Sequence, residues 1–305
     1  MQYIVKKIIN KIPFLKSILY KIFDSSKKEK HNDELPYVLL KMNDLLFNLH
    51  RGSFISDRLK NSGSYEPYIT QLIEAFVRKG DTVFDVGANI GIHTLTLSKA
   101  VGDDGSVIAF EPVKYLFEEL NLNLHLNSTS NVKIVNVACG ENDKISEMNV
   151  FKKGDFDSGN NSLVENEHII SVSPKRINKV NVKVINLDNF VQRHALSIDF
   201  IKMDIEGYEY YALRGMQKLI KQQTPAMIIE YNLDRIHHLG LSNKDFKNIL
   251  DSQYDCYEID RNNEDKGIYG LIPFKFDRFE SSAVPGYTYV RTDLVCVPKT
   301  RYVLK

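Results

Sequence analysis

The chain has 305 residues, 43% hydrophobic and 10% aromatic, with 40 Lys+Arg against 39 Asp+Glu. That composition excludes disordered, collagen-like and disulfide-stapled chains, and a formal charge of +1 excludes a surface given over wholly to nucleic acid. Cys139, Cys256 and Cys296 are odd in number and far apart, which fits a reducing compartment and gives no metal-ligand spacing.

The balance hides an asymmetry. Residues 1–30 carry eight Lys against Asp24 and Glu29, a net +6, so the remainder sums to −5. Ile4, Val5, Ile8, Ile9 and Ile12 fall on one helical face and Lys6, Lys7 and Lys11 on the other. Pro13 breaks or kinks that helix, and Phe14, Leu15, Ile18, Leu19 and Ile22 start a second stripe. Residues 2–23 therefore read two ways: as a basic amphipathic element on an anionic membrane surface, or as a stripe packed on the body or on another subunit. The lysines interrupt any secretory apolar core, and no run reaches the roughly 20 apolar residues of a membrane span. The expected location is cytoplasmic, with peripheral contact with the membrane face left open; oligomeric state has no signal.

Residues 1–34 are thus an extension and linker. Residues 35–80 come next, with Tyr37–Met42 and Leu45–Leu49 as a hairpin around Asn43-Asp44, then a helix over Ser64–Lys79 ending at Gly80. From residue 81 to 305 apolar strands alternate with amphipathic helices. The strands are Thr82–Val86, Ser106–Phe110, Val132–Val137, Phe200–Met203, Ala226–Glu230, Tyr254–Asp260 and Asp293–Pro298. The helices are Gly91–Ala100, Lys114–Leu126, Tyr208–Lys221 and Asn243–Ser252. Such alternation predicts an α/β, doubly wound, seven-stranded and mostly parallel sheet. A long insert, Glu141–Ile198, holds Asn149–Lys152 and Val180–Asn186 as short strands and a flexible loop, Asp157–Ser162, of the kind that shapes acceptor pockets.

The most informative stretch runs from Asp81 to Thr94. A buried strand ends in a glycine turn that opens directly into a helix, the place where doubly wound sheets hold ligands. Twenty residues past Gly91 the next strand ends in Glu111, placed to accept both ribose hydroxyls of a nucleoside. A dinucleotide fingerprint needs G-x-G-x-x-G; here Asn89 and Ile92 stand at its second and third glycine positions, so close approach to a diphosphate is disfavoured, and no P-loop motif exists. An adenosine ligand without phosphate fits, S-adenosylmethionine being the common one. Asp85, Asn89 and the loop backbone supply partners for its amino-acid end; the bland alternative is a tight turn alone.

A second cluster follows Phe200–Met203, whose carboxyl end releases Asp204, Glu206 and Glu209; the next strand ends in Glu230. Acids on one rim repel unless they meet cations, a metal or a titratable substrate. As a plain alternative, Glu209 is first-turn helix charge. His93 either faces the ligand or packs the helix, and His237-His238 reads as a surface pair.

At these residues the chain resembles the FkbM-type S-adenosylmethionine-dependent methyltransferases of the Rossmann-like class I fold. The resemblance rests on Ser64-Tyr-Glu-Pro67, Asp85-Val-Gly-Ala-Asn-Ile-Gly-Ile-His-Thr94, Phe110-Glu-Pro112, Asn136-Val-Ala-Cys-Gly140, Asn160-Asn-Ser-Leu163, Leu187-Asp188 and Lys202-Met-Asp-Ile-Glu-Gly-Tyr-Glu209. It covers Leu35 to Tyr231 and implies O-methyl transfer to sugars, polysaccharides, or polyketide and lipid products. It implies further that Asp85 to Gly91 cradle the methionine end, Glu111 the ribose, and Asn136 to Cys139 the adenine. The candidate cofactor residues are Glu66, Asp85, Gly87, Ala88, Asn89, Gly91, His93, Thr94, Glu111, Asn136, Ala138 and Asp204. Asp204 or Glu206 is expected as the base, with Lys202, His93 and Glu230 in support, and Tyr65 and Glu66 cap the pocket. No metal is expected, although Asp204 and Glu230 stand where catechol-type methyltransferases hold Mg²⁺. Nucleic acid is not an expected partner: no Asn/Asp-Pro-Pro-Tyr/Phe tetrapeptide follows the fourth strand, and the body is net acidic. A non-catalytic, membrane-associated nucleoside-binding scaffold is the alternative from another class.

Overall fold

The structure, a computed structural model, describes residues 36–164, 175–264, 267–276 and 291–300. The basic extension, residues 2–23 included, lies outside the described residues.

The described chain opens on the expected hairpin of β1 (Tyr37–Met42) and β2 (Leu45–His50). Asn43 and Asp44 take φ of 48° and 66°, the left-handed pair that a two-residue turn between right-twisted strands requires and that Asn and Asp tolerate. Next comes a helix missing from the sequence expectation, α1 (Phe54–Ser62). Ser53 caps it by accepting from the Ser56 amide, and Gly63 closes it at φ 69°. Its signals, a capping serine and a terminal glycine around Ile55 and Leu59, were present but spanned only nine residues. The expected Ser64–Lys79 helix is the shorter α2 (Pro67–Phe76), begun on a proline and ended where Val77 turns extended.

The body then runs β3 (Thr82–Val86), α3 (Ile92–Val101), β4 (Ser106–Phe110), α4 (Lys114–Leu126) and β5 (Val132–Val135), which stops two residues short of the expected strand end. After β6 (Ala138–Cys139) the insert holds β7 (Lys144–Phe151), β8 (Ile177–Ile185) and α5 (Leu187–His194). Strand β9 (Phe200–Met203) leads to α6 (Glu209–Arg214) and α7 (Gln217–Gln223), followed by β10 (Ala226–Asn232), α8 (Leu233–His238), α9 (Asn243–Leu250), β11 (Tyr254–Asn263), β12 (Ile268–Pro273) and β13 (Arg291–Pro298).

Among the described residues, eight strands rather than seven form the main sheet, in the order β12-β11-β13-β10-β9-β3-β4-β5. Neighbours from β10 to β5 are parallel. Strand β13 runs against β10 and β11 runs against β13, so six strands share one direction. The additional strand is β12, an antiparallel edge partner of β11. Its Ile268 and Ile272 are exposed, so no buried alternation marks it in the sequence. The fold class is the doubly wound α/β sheet that the alternation implied. Strand β6 and the insert's β8 and β7 form a separate three-stranded sheet, in which β7 and β8 are longer than the short strands expected there.

The expected Tyr208–Lys221 helix is broken into α6 and α7. Asp188, at the start of α5, donates its backbone N–H to Gly215 O at 2.8 Å, and its carboxylate accepts from the amides of Lys218 and Leu219 at 2.9 and 2.8 Å. A carboxylate from another element thus caps α7 mid-pattern, which periodicity does not reveal.

Apolar side chains cover both sheet faces. Phe84, Phe110, Phe190, Met203 and Tyr231 lie in one core, and Ile73 and Phe76 of α2 meet Leu97 and Val101 of α3 in another. Phe47, Leu49 and Leu59 bind the hairpin and α1 to Leu120 of α4 and to Val150 and Val184 of the insert. The hairpin and the insert thereby share one core at the ligand end of the sheet. Among the described residues no helix is long and apolar enough to cross a membrane.

Candidate active site

Chain order reverses at β3: β4 and β5 lie on one side, β9 and β10 on the other. At such a point the loops diverge and leave a crevice beyond the strand carboxyl ends. A cavity of about 610 Å³ opens there, within the range of about 300–1,000 Å³ typical of small-molecule sites.

The glycine loop forms its floor. Gly87, Asn89 and Gly91 take φ of 84°, 50° and 92°, and the amides of Gly87 and Ala88 both donate to Phe110 O at 3.0 Å. A Cβ at Gly87 would sit 1.8 Å from Asp204 O, so only glycine lets the ends of β3 and β9 come this close. Glu111, 4% exposed, accepts from the amides of Asn89 and Val113 at 2.9 and 2.8 Å. Burial pushes its carboxyl up to about 7 although those two N–H groups pull the other way. Glu66, Asn89 and Glu206, all on the cavity wall, are non-glycine residues at positive φ (43°, 50° and 58°), a form of strain that collects at functional sites.

The predicted cofactor residues divide into wall and support. Glu66, Gly87, Ala88, Asn89, His93, Glu111, Ala138 and Asp204 line the cavity. Asp85, Gly91, Thr94 and Asn136 are not on the wall but behind it. Asp85 is fully buried, takes a 2.6 Å hydrogen bond from the Thr94 hydroxyl, and lies 4.0 Å from Lys202 Nζ. Gly91 caps α3, and Asn136 donates to Glu111 O and Pro112 O, holding the turn that carries Glu111. His93 Nε2 meets Glu66 Oε2 at 2.8 Å, while its buried Nδ1 has no partner among the described residues.

Lys202, Asp204 and Glu206 stand together at the end of β9. Lys202 is 5% exposed and 3.5 Å from Asp204; burial lowers its affinity for a proton, but Asp204 and Asp85 outweigh that and hold it charged. Burial likewise pushes Asp204 up, yet Lys202 and then Arg291 hold its carboxyl below the usual range. Burial raises Glu206, which pairs with Arg235 Nη1 at 2.5 Å. Glu230 is raised well above the ordinary range, by burial and then by Asp204 and Glu206. Arg291 Nε lies 2.5 Å from Glu230 Oε1, an ion pair by distance that lacks hydrogen-bond alignment. Glu209, raised to about 7 by burial, accepts from the amides of Ile205 and Gly207, so it is more than helix-terminal charge. Carboxylate oxygens of Asp204, Glu209 and Glu230 lie within 4.8 Å of one another, but Arg291 and two backbone amides already engage the two glutamates. Asp204, Glu206, Glu209 and Glu230 thus share one rim with Lys202, Arg235 and Arg291.

Several wall residues escaped the sequence reading: Phe54, Arg58, Tyr115, Leu116, Met148, Phe156, Arg261, Arg291 and Asp293. They come from six elements or loops scattered along the chain, and no local spacing marks them. The loop 157–162, expected to be flexible, is tied down instead: Arg176 binds Asp155 and Asp157, and the Ser162 hydroxyl donates to Glu206 O at 2.7 Å.

The family model for the methyltransferase FkbM domain matches residues 85–259. The chain belongs to the FkbM methyltransferase family. Its first 143 residues also overlap a second match, to the protein-L-isoaspartate(D-aspartate) O-methyltransferase model over residues 22–143. No curated protein matches the chain. Among solved structures, the FkbM methyltransferase from Methylobacillus flagellatus is 20% identical over 62% of this chain, with a TM-score of 0.39; this chain spans 46% of that protein. A putative methyltransferase from Streptococcus mutans in complex with SAH is 7% identical over 77% of this chain and 99% of its own, TM-score 0.42. A putative rRNA methylase from Clostridium thermocellum is 11% identical over 76% and 93%, TM-score 0.43.

S-adenosylmethionine is the cofactor of this FkbM chain, and the residues fit it. Pro112, Leu116, Ala138, Cys139 and Met148 give the cavity apolar wall suited to a base, and Glu111 on the same cavity retains lone pairs for ribose hydroxyls. His93 Nδ1, without a partner among the described residues, and the Asp204 carboxyl, held below the usual range, suit a ligand that is polar at one end and cationic at its sulfur.

Proposed function

We propose that the chain transfers a methyl group from S-adenosylmethionine to a hydroxyl oxygen of a sugar, glycan or related natural product, in the cytoplasm. One observation carries the reading: the same cavity is lined by Glu111, the glycine loop and Asp204, whose carboxyl is held below the usual range. S-adenosylmethionine supplies an electrophilic methyl on a cationic sulfonium, which leaves alignment and removal of the hydroxyl proton to the protein. Asp204 is the base. Lys202 and Arg291 keep it ionised, and their hold makes it a weak base, adequate for a donor that is already reactive. Glu206 is engaged by Arg235 and positions that rim instead. Lys202, between Asp85 and Asp204, orients the base from below. Asp157 and Asn160 on the cavity wall suit a ligand rich in hydroxyls.

The test is transfer of labelled methyl from S-adenosylmethionine to a panel of glycosides, with alkali-stable label marking an ether. Asp204→Asn is expected to cut turnover about a hundredfold while cofactor binding, read by calorimetry, persists. Wild-type turnover in that variant overturns the base assignment, and transfer to no hydroxyl acceptor overturns the reading. The proposal extends to residues 2–23, whose basic stripe supports peripheral contact with an anionic membrane face. Cosedimentation of the full chain with phosphatidylglycerol vesicles, lost at high salt, is the expected result; equal binding to neutral vesicles would count against it.

A further inference from the structure

Phe54 and Phe156 are 44% and 49% exposed and both line the mouth of the cavity. Single exposed apolar side chains need no explanation, but this pair is different. One ring comes from the start of α1 and the other from the insert, and they meet edge to face with centroids 5.7 Å apart. Their backbones are joined, the Phe54 amide donating to Phe156 O at 3.1 Å. Arg176 grips the residues on either side of Phe156, with Nε 2.7 Å from Asp155 Oδ2 and Nη2 2.8 Å from Asp157 Oδ2. Asn161 donates to Ser158 O at 2.7 Å and accepts from the Phe151 amide at 2.8 Å. Two apolar rings are therefore held toward solvent by a loop too constrained to fold them inward. A surface ordered in advance loses little entropy when a ligand settles on it.

We infer that Phe54 and Phe156 form an aromatic platform that holds a sugar ring of the acceptor at the cavity mouth, outside the position where methyl transfer occurs. This inference rests on the glycan reading above. An aromatic face is electron-rich and attracts the polarised C–H hydrogens on the apolar face of a pyranose. Asp157 and Asn160, on the same wall, meet the hydroxyls at the ring's edge. A lipid chain would find carboxylate and amide groups where it needs apolar area. The Arg58 guanidinium, itself on the cavity wall, lies over the Phe54 ring 5.7 Å from its centroid.

The chain has no tryptophan, so Phe156→Trp introduces a sole indole at the platform. The probes are methyl glycosides of hexoses, 6-deoxyhexoses and hexuronic acids, and short oligosaccharides of each. The expected result is a saturable change in indole emission with at least one sugar, stronger for oligosaccharides and weakened about fivefold or more when Phe54→Ala is added. In parallel, Phe156→Ala raises KM for a methylated sugar about five- to tenfold, while the Kd for S-adenosylmethionine is held. Sugar methylation by the wild-type chain with no emission change and unaltered KM overturns the platform and leaves the glycan reading standing. An emission change without methylation supports the platform and refutes the transfer reading. Neither signal with any sugar overturns both.

Discussion

Gly87→Ala is the sharpest probe of how the site is built. The added Cβ would lie 1.8 Å from Asp204 O and 2.9 Å from Ile205 Cγ2. Ordinary C···O contact begins near 3.3 Å, so about 1.5 Å must be found between two strand ends. The obstacle is backbone, fixed by the 3.0 Å hydrogen bond from the Asp204 amide to Val86 O, and it cannot swing away as a flexible side chain would. Left-handed strain adds about 1–2 kcal/mol to an overpacking cost of about 1–3 kcal/mol, giving about 2–5 kcal/mol. Gly80→Ala isolates the strain, because Gly80 has φ +87° and nothing within 4 Å of a Cβ. Urea unfolding of both variants and calorimetric titration with S-adenosylmethionine are the assays. Gly87→Ala is expected to lose more stability than Gly80→Ala by at least about 1 kcal/mol and, alone of the two, to lose cofactor affinity. Equal losses in the two variants would refute the close approach of β3 and β9 as the reason for Gly87.

Glu111 gives a pH-dependent prediction. Its folded carboxyl at about 7 exceeds the ordinary 4.5, so the folded state binds the proton more tightly. Its contribution to stability is full below pH 4.5 and is lost as pH rises through about 7, by up to about 3 kcal/mol. Glu111→Gln should flatten that portion of the stability profile measured by urea unfolding. The same variant should bind S-adenosylmethionine about tenfold more weakly at pH 8, where the wild-type carboxylate is ionised to accept ribose hydroxyls; a wild-type affinity that does not rise between pH 6 and 8 would contradict that role. Prior treatment with EDTA is expected to leave turnover unchanged, because Arg291 and two backbone amides already engage Glu230 and Glu209; loss of activity restored by Mg²⁺ would show the acid cluster to be a metal site.

The parts of this protein that could be read from its residues are those in which neighbours along the chain act together. Asn43-Asp44 marked the hairpin because two left-handed residues in succession must be of a type that tolerates them. Buried strands ending in Gly87 and in Glu111 marked the cofactor end, since a strand, its turn and its acid are contiguous. Failures came where the deciding partner was distant. Asp188 breaks a continuous helical pattern by capping α7, and β12 is an exposed edge strand that pairs, among the described residues, with β11 alone.

Local sequence determined the order of strands and helices, the glycine loop, Glu111 and the acids that follow β9, because backbone conformation and hydrophobic period are set over a few residues. Only the tertiary structure decided that Asp85 supports Lys202 from behind the wall, that Arg235 and Arg291 meet Glu206 and Glu230, and that Phe54 and Phe156 meet at the mouth. Charge pairing and ring contact act across space within a few ångströms, and chain separation carries no record of which surfaces packing brings that close.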